Sequence, residues 1–105
     1  MPPGRSSQQR LEALAQANQI RALRAADKRS IKSRQIDARA VILSPAAYWE
    51  GARIADLLLS VPAIGHGKLK KILKRQVISP SRTLAGLTDL QRSRLIKELD
   101  RYYPG

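Results

Sequence analysis

The amino-acid sequence predicts an all-α protein: a long N-terminal helical arm followed by a small helix–hairpin–helix domain. Three observations carry that expectation. No segment alternates apolar and polar residues with the period of two that a half-buried strand needs. Residues 7–30 hold neither glycine nor proline and are rich in alanine, leucine, glutamine and arginine, all strong helix formers. From Ser44 onward, glycines and prolines cut the chain into short amphipathic pieces.

The elements follow in order. Ser6 and Gln9 have the spacing of a capping box at the start of the arm. Large apolar residues in the arm are few, Leu11, Leu14, Ile20 and Leu23, padded by alanines. That stripe is too thin to bury in a core, and a helix of about 24 residues is about 36 Å long. A good part of the arm must project or lie on a partner. Ser33 is the expected N-cap of a second short helix carrying Ile36, Val41 and Leu43. Ser44-Pro45 repeats the pattern, with proline at the first helical position, where it costs no hydrogen bond. Tyr48 and Trp49 read as large core anchors, and Gly51 as a break.

Arg53 to Ser60 is expected to be helical, burying Ile54, Leu57 and Leu58. Pro62 ends it, and Gly65 and Gly67 are expected to supply a tight turn. The next helix, about 67–75, buries Leu69, Ile72 and Leu73. Val77 and Ile78 are expected to pass under the domain, and Ser79-Pro80 to start a turn of helix reaching about Leu84. Gly86 breaks it. Thr88-Asp89-Leu90-Gln91 reads as a capping box for a last helix that buries Leu90, Leu95, Ile96, Leu99 and one of Tyr102 and Tyr103. The expected division is a flexible leader at 1–6, the arm at 7–44 and the domain at 45–105.

Charge narrows the partners. The chain carries 20 Lys and Arg against 8 Asp and Glu in 105 residues, a formal net charge of +12, which points to polyanions. No apolar run approaches the roughly 20 residues that span a bilayer, so no membrane partner is expected. The amino terminus lacks the apolar stretch of a secretory signal. Zero cysteines and one histidine argue against disulfides and zinc, and fit a reducing cytoplasm. No cofactor, metal or catalytic residue is expected. Pro2 could serve as an amino-terminal nucleophile, but Pro3-Gly4 follows where a carboxylate is needed, and the remaining acids are scattered.

The charge is uneven. Residues 1–32 hold seven cations against two acids, residues 33–60 three against three, residues 61–86 six against none, and residues 87–105 four against three. Between Asp56 and Asp89 no side-chain carboxylate occurs at all. Into this stretch falls the hairpin signature Val61-Pro62-Ala63-Ile64-Gly65-His66-Gly67-Lys68. A glycine turn opening a helix exposes backbone N–H groups at the helix's positive end, which suits a phosphate. The candidate binding residues are therefore Ile64, Gly65, His66, Gly67 and Lys68 in the hairpin, and Lys70, Lys71, Lys74 and Arg75 on the helix after it. In the arm, Arg21, Arg24, Lys28 and Lys32 recur at three- and four-residue steps on one side. The plain alternative is a geometric turn and solvated basic faces; the acid-free stretch and the net charge favour phosphate contact. Aromatic residues are too few for the stacking platforms of single-strand binders.

From Leu57 to Leu99 the residues resemble the actinobacterial integration host factor family. The motif is Leu57-Leu58-x-x-Val61-Pro62-x-Ile64-Gly65-x-x-Lys68-Leu69-x-x-Ile72-Leu73, then Ile78-Ser79-Pro80-Ser81-Arg82-x-Leu84-x-Gly86-Leu87 and Leu95-Ile96-x-x-Leu99. The resemblance implies a helix–two-turn–helix domain under a long helical lid. It implies a nucleoid-associated, cytoplasmic protein that binds duplex DNA with little sequence preference, bends it and supports phage integration. It places the family's contacts at Gly65, Gly67, Lys68 and Arg82, with Ser81 and Thr83 beside Arg82 as further candidates, and adds double-stranded DNA and a phage integrase complex to the partners. The arm has no heptad seam, so a monomer is the expected state. Two departures stand out. Thr83 and Ala85 occupy positions where the family carries arginines, and His66-Gly67 replaces a lysine–valine pair. Two other classes stay open: an RNA- or ribosome-associated protein using the same hairpin, and an interaction module docking through the arm.

Overall fold

The computed structural model describes residues 7–103; the expected leader and the Ser6 half of the arm's capping box lie outside them. The arm is α1, Ser7–Lys32. It ends in a Schellman motif: Gln35 N–H donates to the Ser30 carbonyl at 2.8 Å and Arg34 N–H to that of Ile31 at 3.1 Å. Arg34 takes the left-handed conformation, φ 66°, that such an ending requires. This corrects the expectation for Ser33. That residue closes α1, and the N-cap of α2, Ala38–Leu43, is Asp37, whose carboxylate accepts from Arg39 N–H at 2.8 Å.

Ser44 likewise closes α2, and α3, Ala47–Glu50, starts after Ala46. Pro45 thus precedes the helix it was expected to begin. Gly51 terminates α3, as its position suggested, and α4 spans Ile54–Leu58. The hairpin after α4 turns at Ala63, the residue with positive φ, 72°. Gly65 is extended and acts as N-cap of α5, His66–Gln76. The two glycines therefore do not make the turn.

Val77 ends α5 in the left-handed region, φ 54°, and is 82% exposed. Only Ile78 enters the core, because Val77 is spent on reversing the chain. The link to the last helix consists of two tight turns, closed by Arg82 N–H to Ser79 carbonyl at 3.0 Å and Gly86 N–H to Thr83 carbonyl at 3.1 Å. No turn of helix forms from Ser79 to Leu84. The capping box does form: Thr88 Oγ1 accepts from Gln91 N–H, and the Gln91 side chain accepts from Thr88 N–H. It starts α6, Asp89–Leu99, which a 3₁₀ turn, Asp100–Tyr102, extends. Leu90 faces solvent at 59% exposure, since the first turn of α6 overhangs the core.

Trp49, Ile54, Leu57, Leu58, Ile72, Leu84, Leu95 and Leu99 form the centre of one hydrophobic cluster. Ile31, Ala38 and Ile42 belong to the same cluster, so the core runs across the 44/45 division. The all-α expectation holds: the described residues contain helices, turns and a single isolated bridge. The molecule measures 58 × 28 × 24 Å, its long axis reflecting an arm whose first half leaves Leu11 and Leu14 largely in solvent, at 66% and 57% exposure.

Candidate nucleic-acid interface

The surface of interest is built around the amino end of α5. No side chain caps that end, so the amides of the first turn keep the unsatisfied donors that every helix start leaves. By contrast α6 closes its own start with the capping box. A Cβ placed on Gly65 or Gly67 would meet nothing within 4 Å. These glycines therefore strip the approach to the amides without being required by packing. Ile64, one of the expected binding residues, is 5% exposed; its side chain anchors the hairpin in the core and is not available to a ligand. Gly65, His66, Gly67 and Lys68 are exposed.

Along α5, Leu69, Ile72 and Leu73 turn inward and Lys70, Lys71 and Lys74 outward, the ordinary result of apolar residues at helical spacing. Lys68 Nζ lies 5.6 Å from the Tyr102 ring centroid, which ties the last helix to the hairpin by a cation–π contact. Arg75 behaves differently. It pairs with Glu98 on α6, which Gln76 also reaches at 2.8 Å. Burial pulls the Glu98 carboxyl up, but the Arg75 and Gln76 hydrogen bonds outweigh it and hold it below the ordinary value. Arg75 is thereby a helix–helix tie.

After α5 the chain forms a shallow polar concavity of about 300 Å³ lined by Ser79, Ser81, Arg82, Thr83 and Gly86. The Ser79 and Ser81 hydroxyls are 3.0 Å apart, and Arg82 leans on the Gly86 carbonyl at 3.4 Å. The three candidates Ser81, Arg82 and Thr83 are thus brought together.

The arm's four candidates are not equivalent. Arg24 Nε donates to the Tyr48 carbonyl at 2.5 Å, and Lys28 pairs with Asp56 at 3.1 Å. Both hold α1 onto the domain. Arg21 is exposed, bonded to Asn18 within the helix, and Lys32 is exposed near its end. The latch itself is a residue that charge counting passed over. One carboxylate oxygen of Asp27 accepts from Tyr48 Oη at 2.6 Å and from Trp49 Nε1 at 2.8 Å. That hydrogen bond, together with burial, raises the Tyr48 hydroxyl above its ordinary pKa. Trp49 is the core anchor expected of it, at 1% exposure, but its polar edge is what fixes the arm.

A second residue missed from sequence is Arg92. Its guanidinium donates to the carbonyls of Ile42, Leu84 and Leu87, binding α2, the second turn and α6 together. An arginine between apolar helix positions carries no sequence signal that separates this use from a solvated one.

The fold and this surface define a class: a helix–two-turn–helix domain under a docked helical arm. Residues 49–99 match the family model described as S13-like H2TH domain. Among solved structures, that of sIHF bound to an 8-bp palindromic DNA superposes with a TM-score of 0.75 at 29% identity, covering 80% of this chain and 97% of the other. Among curated proteins, a guanylate kinase of Leifsonia xyli subsp. xyli (strain CTCB07) is 51% identical over 43 residues, 41% of this chain. The match spans 17% of that kinase's length.

Proposed function

We propose that this protein is an architectural DNA-binding protein that holds the phosphate backbone of a duplex with low sequence specificity and bends it. One observation carries the reading: Lys70 and Lys71, just after an uncapped helix start, and Lys74, toward the other end of the same helix, are exposed and make no ion pair with a described residue, on a stretch of chain with no side-chain carboxylate. Amides at the start of α5 and the lysines around them take one run of phosphates; Arg82 and its neighbouring hydroxyls take another. Contacts of this kind position a protein on DNA without reading bases. If the two grips do not lie along a straight duplex, bending engages both, at a cost of about 1–6 kcal/mol that the added contacts offset. The likeness to a structure solved on DNA supports the same partner.

Nucleoid association and support of phage integration, with an integrase complex as partner, are what the family resemblance implies, and a monomer is the binding unit expected of an arm without a heptad seam. No helix among the described residues is long and apolar enough to cross a membrane, and none of their His, Cys, Asp or Glu side chains cluster as a metal site. The sequence has no Gly-x-x-x-x-Gly-Lys-Ser/Thr loop of the P-loop enzymes. The S13-like character of the domain supports a second reading, an RNA- or ribosome-associated protein that uses the same hairpin.

The test is a salt-titrated binding assay on a short end-labelled duplex, read by anisotropy and end-to-end energy transfer, with a structured RNA at equal salt. The expected log–log slope is about −5, for five or six neutralised phosphates, with a shortened end-to-end distance. A slope near zero defeats the mechanism, and preference for the RNA selects the second reading.

A further inference from the structure

The segment entering α4 and the segment joining the two turns run antiparallel and meet at one point. Ile54 N–H donates to the Arg82 carbonyl at 2.9 Å and Leu84 N–H to the Ala52 carbonyl at 3.0 Å, which sets Arg53 directly opposite Thr83. Opposed residues in such a pair send their side chains to the same face, with Cβ atoms about 4.5–5.5 Å apart, while their neighbours face the other way. Burial follows that alternation at three of the four neighbours: Ala52, Ile54 and Leu84 are in the core, at 3%, 0% and 0% exposure, whereas Arg53 is exposed and Thr83 half-buried. Arg82 departs from it: it closes the first tight turn, is exposed and lines the same concavity as Thr83. The Arg53 side chain therefore leaves the backbone on the same face as Thr83, one of the residues that line the concavity with Ser79, Ser81, Arg82 and Gly86.

No carboxylate among the described residues holds the charged groups there. Neither Arg53 nor Arg82 makes an ion pair with a described residue. The turn beneath them is fixed by its own bonds, Gly86 N–H to the Thr83 carbonyl and to Thr83 Oγ1, each at 3.1 Å. One guanidinium, that of Arg82, thus lines a hydroxyl-lined hollow, and a second starts from the backbone position facing Thr83; such groups are always charged and shaped to grip phosphate oxygens in pairs. Nothing in the local sequence of Arg53 announces this, because its neighbours are the apolar residues that start α4.

We propose that Arg53 is a phosphate ligand, closing with Arg82 a two-arginine cradle over the second turn for one strand of bound duplex. This rests on the DNA-binding reading above and adds to it a residue from a different part of the chain. Replacing Arg53 by Gln leaves the backbone pairing in place and removes one cation. Loss of one neutralised phosphate lowers the magnitude of the salt slope by about 1, and weakens binding about eightfold at 0.1 M salt with the deficit closing toward 1 M. Arg53→Lys keeps the charge and should keep the slope.

A slope unchanged in Arg53→Gln, while Lys68→Glu with Lys71→Glu abolishes binding, overturns the cradle and leaves the DNA-binding reading standing. Failure of the unsubstituted protein to bind duplex overturns both. A second measurement needs no variant: the Arg53 Nε–H resonance should shift on titration with a short duplex. A resonance that stays in place while those of Gly65 and Gly67 move also overturns the cradle.

Discussion

The arm and α5 are both basic helices, yet the cations that face the rest of the domain differ from those that do not. In α1, Arg24 and Lys28 face groups of the domain and are consumed in holding the arm, one on the Tyr48 carbonyl and one on Asp56. In α5, Lys70, Lys71 and Lys74 meet no carboxylate of the described residues, while Arg75, one position on from Lys74, is taken by Glu98. Charge along a chain thus measures attraction to a polyanion only after the internal partners are subtracted. What separates the two helices is the supply of acids around them. Asp27, Asp56 and Glu98 each sit against a basic or hydrogen-donating neighbour, and the lysines of α5 look away from all three.

The largest test of that contrast is charge reversal on α5. Lys68→Glu with Lys71→Glu is expected to weaken binding to every duplex sequence by at least about 60-fold at 0.1 M salt, from two contacts worth about eightfold each. Electrophoretic shift or anisotropy on unrelated duplexes checks it; loss confined to one sequence points instead to base readout.

Next comes the latch. Asp27→Ala leaves Tyr48 Oη and Trp49 Nε1 without their shared acceptor, and is expected to cost roughly 2–4 kcal/mol of stability for two stranded donors. Urea denaturation followed by Trp49 fluorescence reads the loss directly. The salt slope of duplex binding should not move.

Smaller still is the arm's rim. Lys28→Gln removes a pair that is 36% and 55% exposed at its two side chains, so its stability effect is about 0.5 kcal/mol. The informative quantity is the salt slope. If it drops by about 1, Lys28 contacts phosphate in the complex and the contrast between the two helices collapses.

The pH dependence is the finest probe. Arg39 lowers the pKa of Asp37 through its side-chain hydrogen bond, against the opposing effect of burial, and Glu98 is lowered as described. Both are carboxyls with folded values below the unfolded ones, so their contribution is full above the ordinary carboxylate range near 4 and is lost as pH falls through the folded values. Tyr48 runs the other way. Its raised value means that its contribution is present below pH 10 and disappears as pH rises through the folded value. Melting temperature against pH should therefore fall at both ends, and Tyr48→Phe should flatten only the alkaline limb.

Much of this protein was legible before any coordinates. The helical class, the arm, the capping box at Thr88, the inward set Leu69, Ile72 and Leu73, and the basic acid-free surface all follow from propensity, periodicity and charge, which act between residues close in sequence. The errors share one origin. Ser33, Ser44 and Pro45 look like helix starts because caps are read locally, but Asp37 and Ala46 begin those helices once Ile31, Ala38 and Ile42 have been drawn into the core. Val77 and Leu90 look like core residues and are exposed because the chain reverses at one and overhangs at the other. Gly65 and Gly67 do mark the hairpin, although Ala63 makes its turn.

Local sequence therefore determined the long helices and where along the chain positive charge accumulates. Tertiary structure alone decided which cations are free. Asp27 finds Tyr48 and Trp49, Arg92 finds three carbonyls, and Arg53 finds Thr83 across a single bridge. Each of these contacts joins segments that only the packing of the chain brings together, at the short range where Coulomb and hydrogen-bond energies first become significant.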